Sequence, residues 1–426
     1  MDQKVLVTPS EGSENIARAA CISCGQTLQH TFADLGMSPL ANSYIPQRQR
    51  TEPELFYPLH VRICAKCFLV QLEPVAKPEE IFSDYAYFSS YSDSWLEHAR
   101  NYVEAVSRRF GLNQESWVVE LASNDGYLLQ YFVAKGIPVL GIEPAANVAE
   151  EARRRAIPTK VAFFSKGMAL ELIAGGKRAD LIVGNNVLAH VPDLNGFVSG
   201  LKLLLHSAGV ITLEFPHLMR LVEQNQFDTI YHEHVSYFSL TAASYLFAAH
   251  DLKIFDVDEL PTHGGSLRIY VCHSEDEQKI VSQQVRDLLS REEAAGFKTL
   301  DAYLSFQEKV QRTKRNLLEF LIAAKNQGKS VVAYGAPAKG NTLLNFCGIR
   351  TDLIDYTVDR SPHKQNNLLP GTHIPIHSPE KIRNTRPDYL LILPWNLKEE
   401  VMQQMRFISE WGGRFVVPIP TLQIHP

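Results

Sequence analysis

A tyrosine, a glutamate and a histidine lie within four residues of one another and together offer the groups needed to remove a proton from carbon. They are Tyr231, Glu233 and His234, in the segment YHEHVSYF. A neutral histidine accepts a proton near neutral pH, and a neighbouring carboxylate can fix its tautomer. If the segment is extended, Glu233 points away from His234, whereas in a helical turn Tyr231 and His234 share a face. The pattern favours catalytic groups; a metal site using His232 and His234, or a buried structural cluster, are the alternatives.

A further histidine follows a predicted strand in the segment GNNVLAHV. Such a position lies at the carboxyl edge of a doubly wound sheet, where ligands bind. We therefore expect His190 to contact a transferring methyl group or a substrate oxygen. The alternative is an ordinary loop histidine.

Four of the six cysteines form two Cys-x-x-Cys pairs, Cys21 with Cys24 and Cys64 with Cys67. Two thiolates at this spacing occupy one face of a tetrahedral Zn²⁺ site, and disulfides are rare in a chain expected to be cytosolic. The pairs therefore predict a structural zinc ion. A redox pair, or cysteines that are simply buried, are the alternatives.

A short polar turn between an apolar strand and a helix marks a nucleoside-binding crevice. The strand leads into ELASNDGYLL, and a second strand ends at Glu143, whose carboxylate suits the hydroxyls of a ribose. The turn lacks the Gly-x-Gly-x-x-Gly pattern, so it suits S-adenosylmethionine, which has no phosphates, better than a dinucleotide; a plain βα turn is the alternative. The candidate cofactor-binding residues are Glu120, Ala122, Asn124, Asp125, Gly126, Glu143, Asn185 and Asn186.

Two glycine-containing loops are suited to a phosphorylated substrate. THGGSLR places two glycines, a hydroxyl and Arg268 in one turn, which suits an anion. GAPAKGNT joins a strand to a helix and offers Lys339, Asn341 and backbone amides as a diphosphate cradle, although it is not a nucleotide-hydrolysing P-loop. Either loop could be a plain turn. Ser90, in a segment rich in tyrosine, completes the candidate substrate-binding set.

The elements that must position these groups follow from the apolar pattern. Apolar, β-branched segments alternating with helices predict a parallel, doubly wound α/β sheet with strands at 118–121, 139–142, 181–183 and 210–215. A second α/β unit is predicted from strands at 330–335, 352–358, 389–393 and 415–419. The expected domains are a zinc module at 1–80, a cofactor-binding domain at 81–262, and a C-terminal α/β domain at 263–426 with a helical linker at about 274–327.

Composition limits the possible partners. The chain has 426 residues, of which 45% are hydrophobic and 21% charged, as in an ordinary globular protein with real cores. The formal net charge of -5 argues against binding to nucleic acid or to an anionic membrane by bulk electrostatics. No apolar run approaches the roughly 20 residues of a membrane span. We expect a cytoplasmic protein with no nucleic-acid or membrane partner, as a monomer or homodimer.

Taken together, the motifs resemble those of S-adenosylmethionine-dependent C-methyltransferases that act on nucleotide-linked keto-deoxysugars. The resemblance covers nearly the whole chain and rests on the paired cysteines, YAYFSSYS, ELASNDGYLL, NNVLAHV, YHEHVSYFS, HGGSLR and GAPAKGNTLLN. It implies a Rossmann-like class I methyltransferase core between a small N-terminal zinc-binding module and a C-terminal Rossmann-like α/β domain.

The resemblance also implies roles for individual residues. His234 would be the base that removes the proton alpha to the ketone, with Tyr231, Glu233 and His190 as active-site companions. A tyrosine of YAYFSSYS would complete the pocket; Tyr87 is favoured, with its neighbours at 85 and 91 as alternatives. The implied substrate is a 4-keto-deoxysugar, by default linked to dTDP and methylated at C3.

Three other functions are compatible with parts of the pattern. Methyl transfer to oxygen or nitrogen would use the same crevice without needing a ketone. A non-catalytic scaffold that binds RNA or protein is disfavoured by the acidic charge, the absence of a Lys/Arg stripe and the Tyr231, Glu233 and His234 set. An NAD-dependent sugar dehydrogenase built on the GAPAKG loop would place Asp359 at a strand end, but it lacks the glycine pattern of a dinucleotide turn.

Overall fold

Three main sheets organise the protein. A computed structural model describes residues 19–75 and 89–426. The three sheets have four, seven and six strands and correspond in chain order to the zinc module, the central domain and the C-terminal domain. A fourth, two-stranded sheet pairs Ile45–Pro46 with Asn367–Leu368 and joins the first domain to the last.

The zinc-module sheet is antiparallel and borrows a strand from the central part of the chain. In spatial order its strands are His30–Ser38, Tyr57–Ile63, Val70–Leu72 and Ser236–Tyr237. The last of these follows directly on the segment that holds His234. The sheet therefore ties this segment to the module that carries the cysteines.

The central sheet has a parallel body and an antiparallel edge. Its strands, in spatial order, are Leu252–Leu260, Ser266–His273, Leu205–Pro216, Ala179–Asn185, Val118–Leu121, Val139–Glu143 and Thr159–Val161. The last five run parallel, as predicted, and bury Val, Ile and Leu side chains on both faces.

The first two strands of this sheet differ from the expected parallel arrangement. They form an antiparallel hairpin, because the loop at 261–265 is far too short for a crossover between parallel strands. The predicted boundary between residues 262 and 263 passes through this hairpin. The central sheet therefore extends to His273.

The helix before the central sheet is capped at both ends and buries one face. It spans Asp93–Phe110; the Ser92 side chain accepts a hydrogen bond from the Trp95 amide, and Gly111, at φ 64°, ends it. Its buried residues are Ala99, Tyr102, Val103 and Val106. This helix places Trp95, in its first turn, near the carboxyl edge of the sheet.

The C-terminal sheet is reached through the predicted helical linker. The linker contains helices Gln283–Ala294, Asp301–Leu304 and Phe306–Asn326. Phe306 stacks on Phe32 of the zinc module with ring centroids 4.6 Å apart, so the long helix packs against the first domain. The strands of the sheet, in spatial order, are Ile376–His377, Thr357–Val358, Val331–Tyr334, Tyr389–Ile392, Arg414–Val417 and Gln423–His425.

The remaining α-helices cover the sheets. They are Leu129–Val133, Ala146–Arg154, Lys166–Ile173, Leu194–Leu204, Leu218–Glu223, Leu240–Ala248, Ala338–Cys347, Lys381–Thr385 and Lys398–Gln404. Within the described ranges, none of the helices combines the length and apolar character needed to cross a bilayer.

Candidate active site

A cavity of about 620 Å³ lies at the carboxyl edge of the central sheet, bounded also by the zinc module and the C-terminal domain. Ten of the predicted site residues line it. They are Ala122, Asn124, Glu143, Asn185, Asn186, His190, Tyr231, Glu233, His234 and Lys339. The fold thus gathers the expected cofactor, catalytic and phosphate-binding segments around one space.

The cofactor turn, which we define as Ala122–Gly126, is held against Glu143. The two carboxylate oxygens of Glu143 accept hydrogen bonds from the amides of Asn124, at 2.9 Å, and Ala145, at 2.8 Å. Burial raises the pKa of Glu143, and the two amides oppose this by stabilising the carboxylate. Gly126, at φ 78°, cannot be replaced freely, because a Cβ would lie 2.2 Å from Ile157.

Four residues predicted to touch the cofactor or substrate do not line the cavity. Asp125 is fully buried and accepts hydrogen bonds from the amide and hydroxyl of Ser90. Glu120 is 1% exposed, and burial followed by repulsion from Glu143 and Asp125 raises its pKa well above the usual range. Ser90 therefore supports the cofactor turn through Asp125, and the fourth residue, Gly126, is the end of the turn itself.

The histidine segment, defined here as Tyr231–Val235, begins with a turn that brings Tyr231 and His234 together. The His234 amide donates to the Tyr231 carbonyl at 2.9 Å, so the helical-turn alternative is the correct one. His234 Nδ1 lies 3.0 Å from the Thr229 carbonyl oxygen, and its Nε2 lies 2.9 Å from the Tyr231 hydroxyl. A carbonyl only accepts, so Nδ1 carries the proton and Nε2 accepts from Tyr231.

The electrostatic surroundings keep His190 and His234 neutral. Desolvation, reinforced by neighbouring His190, lowers the pKa of His234 well below its usual range. Desolvation lowers the pKa of His190 to about 4. The His190 ring donates through Nδ1 to the Glu233 carbonyl at 2.7 Å, and its centroid lies 4.8 Å from that of His234. At neutral pH, His234 can therefore accept a proton.

The zinc module holds the histidine segment in place. The Leu72 amide donates to the Val235 carbonyl at 2.9 Å, and the Asn42 amide group donates to the Glu233 carboxylate at 2.7 Å. His232, which faces the module, lies with Nε2 3.2 Å from a backbone carbonyl there. Three hydrogen bonds thus connect the module to residues on either side of His234.

The four cysteines converge as the spacing predicts. Their sulfurs all lie within 4.8 Å of one another, with Cys21 and Cys67 3.5 Å apart and Cys24 and Cys64 3.5 Å apart. Tetrahedral Zn–S bonds of about 2.3 Å place sulfurs about 3.8 Å apart, so the cluster fits zinc. The Gln71 side chain donates to Cys21 at 3.2 Å and supports that ligand.

These cysteines are also the only described group of three or more potential metal ligands that converge. The alternative of a second metal site at His232 and His234 is therefore unsupported in the part of the chain that the structure covers. The histidine segment is organised by hydrogen bonds to carbonyl groups instead.

Two residues expected to bind substrate are used elsewhere. Arg268 is 7% exposed in a central strand, where its Nε donates to Glu214 at 2.7 Å, so it does not line the cavity. Asn341 is 2% exposed and donates to the Ala41 carbonyl at 2.6 Å, which joins the C-terminal domain to the zinc module. Each of these side chains is held by a buried partner from another part of the fold, and neither binds substrate there as predicted.

Several cavity residues escaped the sequence analysis. Trp95 fitted the apolar stripe of a helix, and Phe163 follows the short strand Thr159–Val161, which has no clear pattern. His263 was visible only as part of a glycine loop. The favoured tyrosine, Tyr87, lies outside the described residues. The residues missed include Asn42, Trp95, Phe163, His263 and Lys364.

Three family descriptions match consecutive parts of the chain. They are a zinc binding domain at residues 21–82, a methyltransferase domain at 95–257 and a C-methyltransferase C-terminal domain at 261–420. Their order is that of the three main sheets. The match therefore accounts for each domain of the fold.

Known proteins similar to this chain are methyltransferases. C-methyltransferase NovU of Streptomyces niveus is 35% identical over 400 residues, covering 94% of this chain and 95% of that protein. A ubiquinone biosynthesis O-methyltransferase of Rhodopseudomonas palustris (strain TIE-1) is 25% identical over 117 residues, or 26% of this chain and 46% of that protein. The solved magnesium protoporphyrin IX methyltransferase of Synechocystis PCC 6803, with bound SAM, is 16% identical with a TM-score of 0.33. The match covers 46% of this chain and 89% of that chain.

Proposed function

This chain belongs to the C-methyltransferase family, and from that premise we propose that it methylates C3 of a nucleotide-linked 4-keto-deoxysugar, by default a dTDP sugar. It is an S-adenosylmethionine-dependent enzyme with a structural zinc site. The bound cofactor supplies an electrophilic methyl group. What the chain must supply is a nucleophilic carbon, and a carbon alpha to a ketone becomes one when it loses a proton.

The observation that supports this proposal best is the state of His234. Its Nδ1 proton is held by the Thr229 carbonyl, and its Nε2 lone pair faces the Tyr231 hydroxyl on the same cavity as the cofactor turn. In the proposed step the Tyr231 hydroxyl gives up its hydrogen bond to Nε2, the C3–H bond breaks, Nε2 takes the proton, and the electron pair moves to the ketone oxygen as an enolate. The Thr229 carbonyl then stabilises the imidazolium that forms.

Two lysines and a helix terminus on the cavity favour a nucleotide diphosphate there. Pro337, Ala338 and Lys339 line it at the amino end of helix Ala338–Cys347, where unpaired backbone amides attract anions. Lys364 also lines it. No carboxylate of the described residues lies within 4.0 Å of Lys339 Nζ, which donates to Asn396 at 2.6 Å, so its charge is available to a phosphate.

Exchange of the C3 proton in D₂O tests the proposal. The purified enzyme is incubated with dTDP-4-keto-6-deoxyglucose, with and without S-adenosylmethionine, and followed by NMR for deuterium at C3 and by mass for the product. We expect wild-type enzyme to exchange and methylate C3, and His234→Ala to do neither. The exposed His206→Ala, outside the cavity, is the matched control and should behave as wild type.

Two results would contradict the proposal. A product with the methyl on oxygen or nitrogen and the C3 proton retained would show that no enolate is used. Exchange in His234→Ala at the wild-type rate would remove His234 as the base and leave the substrate class standing.

A further inference from the structure

The loop Thr262–Ser266, here called the glycine loop, presents a strained histidine to the cavity. His263 has φ 56° and ψ 19°, in the left-handed region that residues with a Cβ rarely adopt. Gly264 and Gly265 follow at φ 91° and φ 116°. The two glycines adopt positive φ readily, whereas for His263 this conformation is unfavourable unless the surroundings impose it.

The surroundings do impose this conformation. A Cβ on Gly264 would lie 2.8 Å from both Gln226 and Trp395, and one on Gly265 would lie 2.8 Å from Arg220. The Gln226 side chain also donates to the Gly264 carbonyl at 2.7 Å. These contacts therefore hold the loop in a conformation that places His263 on the cavity.

The imidazole of His263 is exposed to the cavity and open to a ligand. Its ring meets Trp95 edge to face, with centroids 5.5 Å apart and planes at 84°. Within the described ranges, no hydrogen bond to either ring nitrogen is present, although the side chain lines the cavity. A strained, exposed side chain on a functional cavity is a sign that its position serves a ligand.

The proposed enolate needs a hydrogen-bond donor, and the side chains beside His234 already make hydrogen bonds to protein groups. The Tyr231 hydroxyl donates to His234, and His190 uses its Nδ1 proton on the Glu233 carbonyl, which leaves its Nε2 as an acceptor. Lys339 lies at the helix terminus where we place the diphosphate. His263 has a donor that no described residue uses.

We propose that His263 is a second catalytic residue, which donates a hydrogen bond from its neutral imidazole to the ketone oxygen and to the enolate that forms there. This inference rests on the proposed function and extends it. The donated bond strengthens as negative charge develops on oxygen, so it favours the transition state over bound substrate.

The charge state of His263 suits this role. Desolvation, followed by repulsion from Lys339, lowers its pKa to about 4, so the ring is neutral at pH 7. A neutral imidazole can polarise a carbonyl as an N–H donor. Because it lacks the acidic proton of an imidazolium, it does not readily protonate the enolate before the carbon attacks the methyl group.

The test replaces His263 with glycine, which accepts the left-handed backbone without strain and opens space where the ring was. With dTDP-4-keto-6-deoxyglucose, we expect C3 exchange without cofactor and methylation with it to fall together, by about 100-fold, as for loss of one oxyanion donor. The affinity for S-adenosylmethionine and the melting temperature should stay close to wild type, and added imidazole should restore exchange. Thr262→Ala, in the same loop but not on the cavity, is the matched control.

Each other outcome overturns the inference. Wild-type exchange in His263→Gly would show that the ring does not stabilise the enolate, and the proposed function would stand. Loss of exchange that imidazole does not restore, or that accompanies lost cofactor affinity, would assign His263 a structural role. If wild-type enzyme neither exchanges the C3 proton nor methylates C3, the proposed function fails and this inference fails with it.

Discussion

Removing the zinc ligands should disable the histidine segment while leaving the cofactor site intact. The perturbation is the double substitution Cys64→Ser and Cys67→Ser, which removes two of the four converging thiolates. The module makes three hydrogen bonds to the segment, from Leu72, from Asn42 and with His232. At about 1 kcal/mol each, their loss costs about 3 kcal/mol of positioning energy, or a factor of about 100 in the correctly placed segment.

The assay separates the two sites. Metal content by mass spectrometry should show that zinc is lost, and turnover should fall by about 100-fold. The dissociation constant for S-adenosylmethionine should change less than about threefold, because the cofactor turn and Glu143 are held by backbone amides of the central domain. Cys272→Ala, at a buried cysteine outside the cluster, is the control. Wild-type turnover in a zinc-free variant, or equal losses of turnover and cofactor affinity, would refute the reasoning.

Three further predictions concern other residues of the site and its support. The pKa of His234 is lowered, so its neutral form persists as the pH falls. We therefore expect kcat/KM to stay constant from pH 8 to about 6.5 and to decline only below that pH. A decline in kcat/KM that begins at or above about pH 6.5 would contradict this. Glu143→Gln leaves a backbone donor unpaired and should weaken S-adenosylmethionine binding about 10-fold by calorimetry, whereas unchanged affinity would remove Glu143 from the cofactor site. Glu214→Gln removes the carboxylate that pairs with the buried Arg268 guanidinium. We expect the free energy of unfolding, measured by urea denaturation, to fall by about 3 kcal/mol. The pair Glu214→Leu with Arg268→Met should recover most of that loss, and failure to bind substrate in this otherwise stable double variant would return Arg268 to the substrate site.

The sequence predicted local features most accurately. The strand at Val118–Leu121 has the predicted bounds, and the helix that starts at Asp93 buries Ala99, Tyr102 and Val106, three of the four apolar residues at helical spacing; the fourth, Trp95, is half-buried. Such elements follow from apolar periodicity and from end residues such as Ser92 and Gly111, which lie within one segment of chain. The assignment of the chain to its family rests on several of these short motifs in one order.

The hairpin at the edge of the central sheet shows where local pattern was insufficient. Strand Ser266–His273 lies in the central sheet, although the expected C-terminal domain at 263–426 includes it. Its register against Leu205–Pro216 depends on a surface formed by distant chain. Periodicity identifies a strand but not its neighbour.

Features whose residues lie within short segments could therefore be predicted from the sequence alone. They are the two cysteine pairs, the cofactor turn and the cluster around His234. Chemistry that depends on which groups meet across the fold was decided by tertiary structure. Arg268 was expected to bind an anion and instead pairs with Glu214, and His263 was part of a loop motif and instead faces the cavity. The tautomer of His234 was also decided by the structure. The Thr229 carbonyl, five residues earlier, fixes it only when the backbone turn brings that carbonyl to Nδ1. Spacing along a chain determines which groups can be neighbours locally, but burial and distant partners determine what each group is free to do.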